Sequence, residues 1–110
     1  MIKIINDPIK YVLKAIKELY PGYRAEVIYL TDYDGEEGPA YTVFDDDRDC
    51  PLVVIDASTP FHCVPGLLIH EIAHVVVGIE GGHGKKWEKV NIALMEKLQE
   101  LFKKDHGCQP

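Results

Sequence analysis

Leu67-Leu68-Ile69-His70-Glu71-Ile72-Ala73-His74-Val75-Val76 reads as a buried helix with two histidines on one side, and the rest of the chain can be ordered around it. On an α-helix, residues four apart are separated by about 40° around the axis and one turn along it. His70 and His74 therefore point at one place, where a single metal ion fits. Glu71 lies about 100° further round, where it can reach a water held on that ion and accept its proton. With five His and nine Glu in 110 residues, this pattern arises by chance in about 2% of such chains. It therefore needs support from the rest of the sequence. The apolar neighbours give some, because buried imidazoles need polar partners and a metal ion would provide one.

The chain has the length of one domain, 1–110, with one core. Its 46% hydrophobic and 27% charged residues are those of an ordinary globular protein. A net charge of −6 repels polyanions and argues against nucleic acid as a partner. No stretch reaches the roughly 18 apolar residues of a membrane span, and Met1-Ile2-Lys3-Ile4-Ile5-Asn6 is too short and broken for a secretory leader. Cys50, Cys63 and Cys108 form no Cys-x-x-Cys pair, which fits reduced thiols and a cytoplasmic location.

Working outward from the histidine helix, Pro65 marks its start and Gly78 with Gly81-Gly82 its end. Upstream, Asp7-Pro8 opens a first helix with an apolar stripe at Ile9, Val12, Leu13, Ile16 and Leu19, stopped by Pro21-Gly22. Strands are expected at Arg24 to Leu30 and Tyr41 to Phe44, paired as a hairpin across the polar segment Asp32 to Pro39. A third strand, Leu52-Val53-Val54-Ile55, is apolar enough to be covered on both faces, and Asp56 to Val64 reads as loop. A last helix runs from about Gly84 to Lys104, with Trp87, Val90, Leu94, Leu98, Leu101 and Phe102 on its apolar side, and residues 105–110 form a flexible tail. The expected class is α+β: an N-terminal helix, a small three-stranded sheet, an active-site helix and a C-terminal helix.

Catalytic zinc takes three protein ligands and leaves a fourth position to water. His83 is the best candidate for the third, since the glycine-containing turn can return it to the helix that has just ended; Glu88 on the next helix competes. With His83-Gly84-Lys85-Lys86-Trp87 downstream of His70-Glu71-Ile72-Ala73-His74, the segment from about Leu52 to Leu94 resembles the SprT-like zinc metalloproteases, in which H-E-x-x-H is followed by H-G-x-x-W. Small glutamate-type zincins, the minigluzincins, are similar in size and element order. The SprT-like resemblance implies a zincin-like fold, one catalytic Zn2+ on His70, His74 and His83, Glu71 as general base, and Trp87 packing the third-ligand turn to the core. The implied activity is metalloendopeptidase cleavage of a protein or peptide substrate, which pairs with a sheet edge at Tyr41–Phe44 or Arg24–Leu30.

Other residues carry competing readings. Cys63 or Cys108 could complete a closed, structural zinc site. The tail with Cys108 could fold back onto the metal, giving a latent or silent zincin that acts as a zymogen or protein-binding module. Tyr23, Tyr29, Tyr33 and Tyr41 are candidate donors to a tetrahedral intermediate. His62 and His106 read as solvated, and the run Asp45 to Asp49 as a solvated turn without the spacing of a calcium loop.

Overall fold

The computed structural model describes residues 1–79 and 82–106, together with the backbone but not the side chain of His106. Helix α1 is Pro8–Leu19, β1 Glu26–Leu30, β2 Ala40–Val43, β3 Leu52–Asp56, α2 Val64–Val77 and α3 Lys85–His106, with a short 3-10 turn at Phe61–Cys63. The mixed α+β order of elements is as expected. No helix among the described residues is long and apolar enough to cross a membrane.

The sheet is not built on a hairpin. Its order is β1-β3-β2, with β1 parallel and β2 antiparallel to β3. Val53, Val54 and Ile55 are 0%, 3% and 0% exposed, and a strand apolar on both faces takes the centre, where neighbours cover both its edges and its faces. The nine residues between β1 and β2, 31–39, are also longer than the two to five of a tight hairpin. They carry the chain across the end of β3, whose exit is held from both sides: Asp56 N–H donates to Pro39 O and Ala57 N–H to Leu30 O, both at 2.9 Å.

Asp7 caps α1 by accepting from Ile9 N–H at 3.0 Å, with Pro8 in the first turn where its missing N–H costs nothing. The buried residues of α1 are Tyr11, Val12 and Ala15, whereas Leu13 and Leu19 are 55% and 38% exposed. Tyr11 displaces the expected leucines because its ring can pack while its hydroxyl donates to Asp105 Oδ2 on α3 at 2.9 Å. Half of α2 is buried: Val64, Leu68, Ile69, Glu71, Ile72, Ala73 and Val75. It lies against β2 and β3 and takes α1 and α3 on its other sides. Helix α3 closes the core with Val90, Leu94 and Leu101 and runs two residues beyond the expected end, so positions 105 and 106 are helical. Residues 107–110, with Cys108, lie outside the described residues, as does Gly81.

Candidate metal centre

Every buried apolar residue of α2 turns the opposite side of the helix toward the surface, and on that side stand His70 and His74, both half-buried. Gly78 ends the helix at φ 85, a left-handed conformation that a side chain would strain, while its N–H still closes the last turn on His74 O at 2.9 Å. His83 stands just ahead of α3. His83 Nε2 lies 2.9 Å from His74 Nε2 and 3.1 Å from His70 Nε2, and one ring nitrogen from each of the three falls within 4.8 Å of the others.

His83 Nε2 carries either one proton or one lone pair, so it cannot make a well-directed hydrogen bond to His70 and to His74 at once. A cation at their centre would remove the conflict. The edge of a tetrahedron built on zinc–nitrogen bonds of 2.0–2.1 Å is about 3.3 Å, close to the separations found. Burial pushes the His70 and His74 imidazoles below the ordinary histidine range; the Glu71 charge partly opposes this, and His83 adds to the lowering. Both rings are therefore neutral near pH 7, the form that binds metal.

Trp87 sits in the first turn of α3 and faces all three rings, with centroids 4.7, 5.6 and 4.9 Å from His70, His74 and His83. Its Nε1–H donates to His70 O at 3.1 Å. The indole thus packs on the core and also fixes the histidines, tying α3 to the backbone of α2. Replacing Trp87 by Phe keeps a ring but removes the donor, and is expected to weaken the binding of a divalent metal ion about 10- to 100-fold in a chelator competition, as outer contacts of metal sites do.

Glu71 is the one buried charged residue among those described, 6% exposed. Its Oε1 accepts from Thr42 Oγ1 at 2.8 Å, while Oε2 lies 4.0 Å from His70 Nε2. One carboxylate oxygen is thus held by the sheet and the other is turned toward the histidine side. Thr42 was not singled out in the sequence: its role appears only once β2 is placed beside α2, and an isolated threonine in a strand gives no sign of it.

The remaining candidates are dispersed. Glu88 lines a groove on the outside of α3 with Leu19, Lys85, Lys89 and Ile92, apart from the histidine cluster. Cys63 is exposed at the start of α2 and does not join the cluster; Cys108 lies outside the described residues. None of Tyr23, Tyr29, Tyr33 and Tyr41 touches the three histidines: Tyr33 and Tyr41 pair with each other at 5.8 Å, and Tyr33 Oη accepts from Glu37 N–H. The segment Asp45–Asp49 is a hydrogen-bonded turn, Asp45 Oδ1 accepting from Asp47 N–H at 2.9 Å. His62 lies in a separate hollow with Ile4, Phe61 and Phe102. No family model matches the chain, and no curated protein or solved structure matches it either, so what the cluster can do is set by its own geometry.

Proposed function

We propose that the chain is a zinc-dependent peptidase with a minimal zincin-like fold of SprT-like type, in which His70, His74 and His83 hold the metal and Glu71 is the general base. The observation that carries this reading is the convergence of three imidazoles beside a buried carboxylate with one oxygen already occupied. Three nitrogen ligands, with no fourth candidate ligand grouped with them among the described residues, are the donor set of catalytic rather than structural zinc. A bound zinc ion would supply a Lewis acid for the scissile carbonyl and would acidify water at its open position toward about pH 7.

The chain's own residues account for the remaining chemistry. Thr42 orients Glu71 by its hydrogen bond to Oε1, leaving Oε2 to take a proton from the attacking water and return it to the departing amine. Burial in an apolar helix keeps that carboxylate from competing as a ligand or swinging into solvent. Trp87 holds the His70 backbone and packs against all three imidazoles. For the substrate, the edge of β2 is favoured over that of β1, because β2 lies beside α2 and places Thr42 against Glu71. An extended peptide added to β2 would lie alongside the histidines.

The test is digestion of an unfolded protein by wild type and by Glu71→Gln, with zinc content measured on both. Glu71→Gln is expected to keep its zinc and lose about 100- to 10,000-fold in rate, the usual contribution of a positioned base. Equal cleavage by the two proteins, or a wild type without zinc, would overturn the reading.

A further inference from the structure

Among the described residues strand β1 pairs only with β3, and no other strand lies on its far edge. Glu26 N–H donates to Pro51 O and Leu30 O accepts from Ala57 N–H. The even-numbered residues of β1 therefore turn their backbone groups toward β3, and Val27 and Tyr29 turn theirs to the free edge. Natural edges of this kind are blunted by lysine, proline or a bulge. β1 has none of these: Ile28 and Tyr29 are 42% and 45% exposed, and its one charge, Glu26, is engaged by Arg48.

We propose that this edge pairs with β1 of a second copy of the chain, antiparallel and centred on Ile28, joining the two sheets into one of six strands. The charge pattern selects the register. With Ile28 opposite Ile28 of the second copy, Val27 faces Tyr29 of the second copy and exchanges both outward-facing hydrogen bonds with it, as the backbone directions require. Glu26 then faces Leu30 of the second copy, so no like charges meet. Beyond the strand ends, the same register brings Arg24, on the lead-in to β1, toward Asp32 of the second copy, in the turn that leaves β1, and the two-fold symmetry repeats that approach at the other end. Arg24 and Asp32 are both exposed, and neither has an ion-pair partner among the described residues. Shifting the register by two residues would separate these charges and set Ile28 against a residue other than its own symmetry mate. The union uses the sheet edge away from β2, so both histidine clusters and both β2 edges stay open.

Sedimentation or light scattering of the full chain from about 1 to 200 μM tests this. Wild type is expected to dimerise reversibly across that range. Tyr29→Pro removes an N–H turned away from β3 and is expected to weaken the dimer at least about tenfold. Should that variant fail to fold by circular dichroism, the surface charges decide the question. Arg24→Asp and Asp32→Arg alone each place like charges together and weaken association, while the double variant restores it. A wild type that is monomeric at the highest concentration, or a double variant no tighter than the single ones, overturns the proposal.

Discussion

Replacing His83 by alanine is expected to leave two imidazoles that no longer retain zinc, lowering affinity by about 100-fold or more, beyond the loss typical of outer contacts. The reason is geometric. His70 and His74 are placed by the helix repeat alone, but two ligands do not enclose an ion, and the third nitrogen, from His83 beyond the positive-φ Gly78 and Gly82, lies 2.9 and 3.1 Å from theirs. Glu88→Ala, in a groove away from the cluster, should leave zinc content unchanged. Elemental analysis of the purified variants checks both. Zinc lost in Glu88→Ala and kept in His83→Ala would mean that the solution site is not the one described.

The second large effect is on stability. Leu94 is fully buried, on the face of α3 that meets the core. Leu94→Ala is expected to cost about 2–5 kcal/mol, the range for deleting a buried leucine and leaving a partly collapsed cavity. For a domain of this size that corresponds to a fall of roughly 10–20 °C in Tm. Ile92, two residues away and 48% exposed, is the control: Ile92→Ala should stay within about 0.5 kcal/mol. Urea unfolding of the three proteins, with m unchanged and only the midpoint moved, would establish that the loss belongs to the native core.

The parts of this fold that a single period or cap determines were legible in the sequence. Asp7-Pro8 starts α1, Gly78 ends α2, and the doubly apolar Val53-Val54-Ile55 is buried, each for a reason local to those residues. Pairing was not legible in the same way. Alternation identifies a strand but not its neighbour, so β1 and β2 looked like a hairpin although their separation already exceeded a tight turn. Within the candidate site, His70, His74 and Glu71 follow from helix spacing, and His83 from the glycine turn and its H-G-x-x-W context. Thr42 did not follow, because its value depends on which strand lies beside α2, a fact of tertiary packing. Tyr11 was hidden for a similar reason: its burial depends on Asp105, 94 residues away.

The strand order also fixes which parts of the sheet are entropically easiest to assemble. Joining β2 to β3 closes the short segment 44–51, whereas joining β1 directly to β3 closes 31–51. By the logarithmic dependence of loop closure on length, the second costs about 0.9 kcal/mol more in chain entropy. Loop closure therefore favours the antiparallel β2–β3 pair as the nucleus of the sheet, with Thr42 already positioned to meet Glu71 as α2 docks. β1 then joins last, by parallel pairing over a long sequence separation, the slower kind of contact to form. The strand left with an open edge in the finished fold is thus also the one whose arrival the rest of the sheet does not need to wait for.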